Sequence, residues 1–408
     1  MKDRYFYTES ACRITIFSQA LIINVLPLLF VIFSSSYGVS TIKLTALIGV
    51  TFGVQLIFDT TASTITKYLG YRGCAICATG FSSLGLIMLG VTPHLFSDTY
   101  LALVLSNLVM SIGAGLMEVI VSPISNSLPS ANRNSGLCLL HSFYCWGHLG
   151  VIIVTTIFII LLKHLWWVLP IAYSLIPLIA LILFTFSPIT EEKTLKSREK
   201  LPSLFKNKFY WVTLIMMICV GSIEQSVAQW SAFFAEAGLK VSPAIGNLIG
   251  PAIFALCMGT MRLLTGLKKE KFKPVKTMFV CSIGAIFAFL LMAFSPIPIL
   301  SLVGCGLMGI FIGPGWPTVL TIAQERIPNN HTKLFAYLAL FGDTGCLIGP
   351  GIVGILTTIS ETSSITMPFA TSFTESGLRL GLLTCSLLAI IMALCCIILF
   401  KKSKNSKI

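Results

Sequence analysis

Apolar runs follow one another along the whole chain, and most reach the ~20 residues that a helix needs to cross the ~30 Å hydrocarbon core of a bilayer. Lipid offers no hydrogen-bond partner to the backbone, so each run should form a helix. The runs are too long and too uniformly apolar for the strands of a membrane β-barrel, which alternate over about 10 residues. The sequence therefore predicts an all-α protein embedded in a lipid bilayer.

Composition agrees with this prediction. Only 11% of the residues are charged and 55% are hydrophobic, whereas a soluble domain has about 25% charged residues. We predict an N-terminal six-helix bundle at 1–186, a cytoplasmic linker at 187–208 and a C-terminal six-helix bundle at 209–408. The twelve predicted spans are 12–35, 42–68, 73–93, 99–127, 135–162, 164–186, 209–237, 242–267, 275–294, 297–325, 334–359 and 377–400.

The net charge of +13 is unevenly distributed. Lys and Arg cluster in alternate loops and at both ends of the chain, with the densest groups at 193–208 and 268–276. The positive-inside rule then places both termini in the cytoplasm, in a plasma (inner) membrane, and argues against a nucleic-acid-binding surface. Cys74 and Cys77 have CxxC spacing but no partner pair or nearby histidine, and no His-Glu-x-x-His motif is present. We expect a monomer with no metal, no other cofactor and no enzymatic activity.

A short segment of span four recurs in span ten. The stretch 113–118, Gly-Ala-Gly-Leu-Met-Glu, is followed by Pro123, and the stretch 304–309, Gly-Cys-Gly-Leu-Met-Gly, is followed at the same distance by Pro314. The stretch 140–147 runs parallel to 338–345, with Leu, Phe and Gly at the corresponding places. We therefore predict two related halves, of which the first keeps a carboxylate, Glu118, where the second has Gly309.

This layout resembles the major facilitator superfamily, in which two six-helix bundles enclose a site near the middle of the membrane. The stretch 67–72, Lys-Tyr-Leu-Gly-Tyr-Arg, resembles the end of that superfamily's cytoplasmic signature, although Lys67 replaces the usual Asp and Ser63 the usual first Gly. The resemblance implies a secondary transporter that works by alternating access. We assign gating roles to Gly70, Arg72 and Arg262.

Shorter motifs resemble one branch of the superfamily, the fucose–galactose–glucose/proton symporters. They are 115–118 with Pro123, the pairs 224–225 and 229–230 in span seven, and Arg262 with the basic stretch 271–276. The resemblance implies proton-coupled uptake of a neutral sugar.

Four carboxylates lie inside predicted spans, where each costs at least ~2.5 kcal/mol to place near the bilayer centre and therefore usually has a function. No basic residue lies as deep, since Arg262 is about one turn from the end of its span by residue count, so we expect no permanent ion pair. That favours proton carriage, although a neutral acid could also simply bond neighbouring helices. The four proton-coupling candidates are Asp59, Glu118, Glu224 and Asp343.

Polar and aromatic residues in the same spans are candidate substrate contacts. Spacings of three and four place several of them on shared helix faces, and a combination of amides with aromatic rings suits a sugar. The candidates are Gln19, Asn24, Asn107, His141, Tyr144, Trp146, Gln225, Gln229, Trp230 and Trp316.

The sequence thus favours a transporter of a small solute, coupled to protons (or Na+), with fucose or a related hexose as the expected substrate. A drug or metabolite/proton antiporter of the same fold is one alternative, because a buried acid also suits lipophilic cations. The alternative of another class is a transporter-like membrane receptor that moves no solute.

Overall fold

A computed structural model describes residues 2–128, 133–189, 207–267, 273–327 and 331–405. Within these ranges, 12 helical segments are long and apolar enough to cross a membrane, which confirms the predicted fold. The chain divides into two compact units, Met1–Lys196 and Ser197–Ile408. Most of the predicted linker, residues 190–206, lies outside the described residues, and its role stays a prediction.

The first unit contains spans one to six. Spans two and three form one long helix that is broken at Gly70, where φ is 67° and ψ 167°, a conformation that glycine adopts without steric cost. The side chain of Asp98 caps span four by accepting hydrogen bonds from the N–H groups of Tyr100 and Leu101. The helices are Lys2–Tyr37, Thr41–Leu95, Thr99–Ser127, Arg133–Leu162, Val168–Tyr173 and Leu175–Phe186, with a 3₁₀ turn at Lys163–Leu165.

The second unit contains spans seven to twelve. Spans seven and eight each include a π-helical turn, at Phe234–Gly238 and Leu248–Ala252. Span ten is broken between Ile312 and Gly315, at its Gly-Pro-Gly sequence. The α-helices are Lys208–Phe233, Pro243–Asn247, Ile253–Leu267, Pro274–Phe294, Pro298–Ile312, Gly315–Arg326, His331–Ser363 and Phe373–Asn405.

Span twelve begins earlier than the predicted residue 377. Its helix starts at Phe373, because the hydroxyl of Ser372 accepts a 3.1 Å hydrogen bond from the backbone N–H of Glu375. A serine that binds an otherwise unpaired N–H in this way is a favourable helix start.

The glycines of the repeat occupy equivalent helix crossings in the two units. A Cβ atom on Gly113 would lie 2.1 Å from Ser82 Oγ, so span four crosses span three closely there. The matching Gly304 crosses span nine, and its Cβ would lie 2.8 Å from Met292 Cγ and 3.1 Å from the carbonyl oxygen of Ala288. The repeat in the sequence therefore records one packing arrangement used twice, since small residues let transmembrane helices approach closely.

Span eleven allows a direct test of such a crossing, because it carries two glycines in different surroundings. A Cβ on Gly349 would lie 2.1 Å from the carbonyl oxygen of Ser222 in span seven, whereas a Cβ on Gly351 would meet no atom within 4 Å. We expect Gly349→Ala to lower the free energy of unfolding by about 1–3 kcal/mol, as overpacking does. Gly351→Ala should be neutral or raise it by up to about 1 kcal/mol, because alanine restricts the unfolded chain.

Denaturant titration of both variants in detergent measures the difference. Equal stability of the two variants would show that spans seven and eleven separate without cost at this level.

Candidate functional site

In the first unit, the structure places Glu118 between two glutamine amides. Gln19 Nε2 of span one donates a 3.0 Å hydrogen bond to Glu118 Oε2, and Gln55 Nε2 of span two donates to the same oxygen. Glu118 itself is half-buried in span four. Among the described residues, no Lys or Arg side chain forms a hydrogen bond or ion pair with it. Three helices therefore meet at a carboxylate whose bonded partners are neutral.

Asp59 lies beside this cluster. It is half-buried and follows Gln55 by four residues, which places both on one face of span two. The neighbouring Phe58 touches span four, since a Cβ on Gly115 would lie 3.0 Å from its Cδ2 atom. Two of the predicted acids, Asp59 and Glu118, are thus brought to one region of the first unit.

The equivalent position in the second unit cannot hold such an acid. Gly309, the counterpart of Glu118, lies so close to span eight that a Cβ would be 2.3 Å from the carbonyl oxygen of Phe254 and 3.1 Å from Cys257 Cβ. Backbone occupies the space that a carboxylate would need. The loss of charge in the repeat therefore follows from helix packing.

In the second unit, the expectation that no basic residue would pair with Glu224 is wrong. Arg262 Nη2 lies 2.6 Å from Glu224 Oε2, and Arg262 Nε donates a 3.3 Å hydrogen bond to the carbonyl oxygen of Gly313. Residue counting locates only the Cα atoms. Side chains on a helix lean toward its N-terminus, and in span eight this direction takes the guanidinium back by about one turn, toward the level of Glu224.

The same guanidinium binds the break in span ten, next to which Trp316 lies half-buried. Trp316 packs against span eleven, since a Cβ on Gly342 would lie 2.4 Å from its Cη2 atom. Asp343 is the next residue and is only 3% exposed. Spans seven, eight, ten and eleven therefore bring the predicted residues Glu224, Arg262, Trp316 and Asp343 into one region.

Two predicted substrate contacts are used in helix packing. Asn107 is fully buried; its amide donates to the carbonyl oxygen of Leu47 at 2.7 Å and accepts from Thr51 Oγ1 at 3.0 Å. Trp230 is also fully buried, and its indole N–H donates a 3.0 Å hydrogen bond to the carbonyl oxygen of Pro350. This geometry favours a structural role for both.

The remaining amides are buried as well. Gln229 Nε2 donates to Gln225 Oε1 at 3.1 Å along span seven. Asn24 Nδ2 donates to the carbonyl oxygen of Ala20 at 2.7 Å, while its Oδ1 atom has no hydrogen-bond partner among the described residues. The role of substrate contact stays a prediction for Gln225, Gln229 and Asn24. Of these, Asn24 has an oxygen that could accept a hydrogen bond from a substrate.

Span five presents its predicted residues differently. Tyr144 is half-buried and Trp146 is 53% exposed, whereas His148, four residues after Tyr144 on the same helix face, is buried. The side chain of His141 lies outside the described part of the structure, so its role stays a prediction.

Arg72, predicted as a gating residue, binds the end of span six. Its guanidinium donates to the carbonyl oxygens of Phe184, Thr185 and Ser187 at 2.9, 2.7 and 2.6 Å. These are among the carbonyls that a helix C-terminus leaves without an intrahelical partner. Arg72 thus fastens the start of span three, just after the break at Gly70, to span six, and any gating role stays a prediction.

Sequence reasoning missed Gln55 and a second buried pair. Gln55 could have been identified from the sequence, because it is an amide in an apolar run, one helical turn before Asp59. Arg379 and Glu375 form a 2.9 Å ion pair and are 1% and 3% exposed, although Arg379 reads in the sequence as an ordinary charge near a span end. Among the described residues, no group of three or more His, Cys, Asp or Glu side chains could hold a metal ion.

A family model described as the Major Facilitator Superfamily matches residues 13–350. The chain belongs to this superfamily. It is therefore a transporter by family, which confirms the predicted superfamily and the coarse function. A search of curated protein sequences found no significant match.

Solved transporter structures share the fold at low sequence identity. The E. coli fucose:proton symporter FucP has a TM-score of 0.66 at 15% identity, over 96% of this chain and 98% of that one. A D-xylose–proton symporter gives 0.74 at 16%, over 95% and 97%, and the nucleoside transporter NupG gives 0.74 at 13%, over 96% and 99%. At these identities the likeness concerns the fold alone.

Proposed function

We propose that this transporter couples the uptake of a neutral, hydroxyl-rich solute, a hexose such as fucose or a related sugar, to protons, and that Glu118 carries the proton. The observation that carries the proposal is the pair of glutamine amides on Glu118. An amide donates through its NH2 group to a carboxylate and, turned over, accepts through its carbonyl from a protonated carboxyl. Gln19 and Gln55 therefore suit Glu118 in both protonation states.

Glu224 is less suited to that task. Its partner, the guanidinium of Arg262, donates in every protonation state and cannot accept a hydrogen bond. A proton on Glu224 could therefore not be donated in a hydrogen bond to Arg262. We assign Glu224 and Arg262 to holding spans seven, eight and ten together, and not to proton carriage.

The solute class rests on two lines of support. The motifs of spans four, seven and eight resemble those of fucose–galactose–glucose/proton symporters, and structures of similar fold include symporters named for fucose and for D-xylose. A nucleoside transporter also shares the fold, so nucleosides belong in the same test. A neutral solute also fits Glu118, whose described partners include no cation that could hold an anionic substrate.

Transport into proteoliposomes tests the proposal. With an imposed pH gradient, the wild type should accumulate its sugar by about tenfold per pH unit, since one proton moving down that gradient supplies ~1.4 kcal/mol. Glu118→Gln should bring the accumulation ratio to about 1 while solute exchange across the membrane continues, because glutamine keeps the size and the hydrogen bonds of the site. Glu325→Gln, at an exposed position of span ten, is the matched control.

Accumulation by the Glu118→Gln variant at the wild-type ratio would refute the assignment of Glu118. Binding and exchange of lipophilic cations, with none of sugars or nucleosides, would favour the antiporter of the same fold. Binding of a sugar without any movement across the membrane would favour a receptor.

A further inference from the structure

Spans seven and eight meet at a second polar cluster, away from the residues assigned above. Glu236 lies in the π-helical turn that ends span seven, and Asn247 lies directly before the π-helical turn of span eight. Asn247 Nδ2 donates a 3.2 Å hydrogen bond to Glu236 Oε1. The two helices touch beside this bond, since a Cβ on Gly246 would lie 2.8 Å from Ala235 Cβ.

The side-chain oxygen of Asn247 is buried and lacks a hydrogen-bond donor among the described residues. Asn247 is 1% exposed, and its Oδ1 atom has no hydrogen-bond partner among the described residues. Its orientation follows from its neighbour, because only the NH2 group can donate to the carboxylate of Glu236. A buried acceptor without a partner costs about 1–3 kcal/mol, so the arrangement calls for a donor or a cation at this point.

A buried hydroxyl beside the same π-helical turn also lacks a partner. Ser231 Oγ is buried and has no hydrogen-bond partner within the described ranges. A Cβ on Gly250, in the turn, would lie 4.0 Å from Ser231 Cβ. Ser231 lies one turn from Ala235, on the side of span seven that faces span eight.

The chemistry of this group selects a ligand class. It offers one carboxylate, one amide oxygen and one hydroxyl, all of them oxygen donors of the kind that hard cations prefer. A single carboxylate matches a single positive charge. The C-terminal end of a helix favours a cation as well, and irregular turns of membrane helices are where transporters coordinate Na+.

We propose that Glu236 and Asn247, with the hydroxyl of Ser231 one turn away, form a binding site for a monovalent alkali cation, Na+ in the first instance. The site lies within the second unit and shares no residue with the proposed proton site at Glu118. Lys240, four residues after Glu236, is exposed. The site does not depend on which solute is transported, so it can stand or fall separately from the proposed function.

Thermal unfolding of the full-length protein in detergent tests the site without a transport assay. At constant ionic strength, replacing choline chloride by NaCl should raise the unfolding temperature to a plateau, because a ligand that binds only the folded state stabilises it. Glu236→Gln and Asn247→Ala should each raise the half-saturating Na+ concentration by at least about tenfold, the effect expected when one ligand is lost. Glu325→Gln should leave it unchanged.

Asn247→Asp keeps the test decisive if the other variants fold poorly. It places a second carboxylate beside Glu236, so this variant should be less stable than the wild type in choline chloride. Ca2+ should restore its stability, and should do so more strongly than it stabilises the wild type. The proposal would be overturned if the wild type had the same unfolding temperature in NaCl as in choline chloride. It would also be overturned if Glu236→Gln retained the full Na+ response of the wild type.

Discussion

Replacing Arg379 by methionine is expected to lower the free energy of unfolding by roughly 3–5 kcal/mol, the cost of breaking a buried ion pair from one side. Arg379 is 1% exposed and donates through Nε to Glu375 Oε1 at 2.9 Å. Its Nη1 atom donates to three carbonyl oxygens at the end of span nine, those of Met292, Ala293 and Ser295, at 3.2, 3.0 and 2.9 Å. Methionine fills similar space but leaves Glu375 Oε1 and the three carbonyl oxygens without the guanidinium donors, while Thr371 still donates to Glu375 Oε2.

Two further variants separate the charge from the carbonyl contacts. Arg379→Met with Glu375→Leu removes both charges, so it should recover part of the loss, while the three carbonyls stay unsatisfied. Arg379→Lys keeps the charge but lacks the planar fork of donors. The stability of this variant should therefore fall between those of the wild type and Arg379→Met. Denaturant titration in detergent gives the values. A single Arg379→Met variant that unfolds at the wild-type denaturant concentration would contradict the burial of this pair.

The second large effect is expected at Arg262. Arg262→Ala should lower the free energy of unfolding by about 3–5 kcal/mol if Glu224 remains charged, because a carboxylate that is only 4% exposed then loses its ion partner. The double variant Arg262→Ala with Glu224→Gln should recover most of that loss, since neither charge remains. The single variants should therefore be strongly non-additive, which a double-mutant cycle measures directly.

A surface pair in the other unit provides the control. Arg13 and Glu9 lie 2.5 Å apart one helical turn from each other, but their side chains are 30% and 48% exposed. Arg13→Ala should cost less than about 1 kcal/mol, as exposed ion pairs do. Additive losses at Arg262 and Glu224, or equal losses at Arg262 and Arg13, would show that the buried pair contributes no specific coupling.

The spans and their internal repeat could be predicted from the sequence because the backbone in lipid must satisfy its own hydrogen bonds, which an apolar run of this length does as a helix. Length and hydropathy locate each helix, and a glycine such as Gly113 or Gly304 marks a crossing wherever two backbones must touch. Helix ends are less certain: span twelve starts at Phe373 because one serine caps it, an effect of a single hydrogen bond that hydropathy does not contain.

The candidate site was predicted in part. Glu118, Glu224 and Asp343 do lie where helices meet, because a carboxylate inside a span needs polar partners from neighbouring helices. Their partners were harder to predict, since Arg262 reaches Glu224 through a side chain whose direction depends on the tilt and contacts of span eight. Trp230 illustrates the opposite error. An aromatic ring in a polar stretch suggests a ligand contact, yet its indole N–H donates to the backbone carbonyl oxygen of Pro350 in span eleven.

The close contact of Gly309 with the backbone of span eight has a consequence for stoichiometry. A duplicated architecture could in principle carry two equivalent acids and move two ions per cycle, one in each half. At this pair of positions, helix packing in the second half excludes an acid. Any side chain at residue 309 would displace span eight. Mutation to Glu cannot simply restore the symmetry. Under the proposed role of Glu118, coupling through these equivalent positions uses the one acid of the first half, and a different ratio would need a group from elsewhere in the chain.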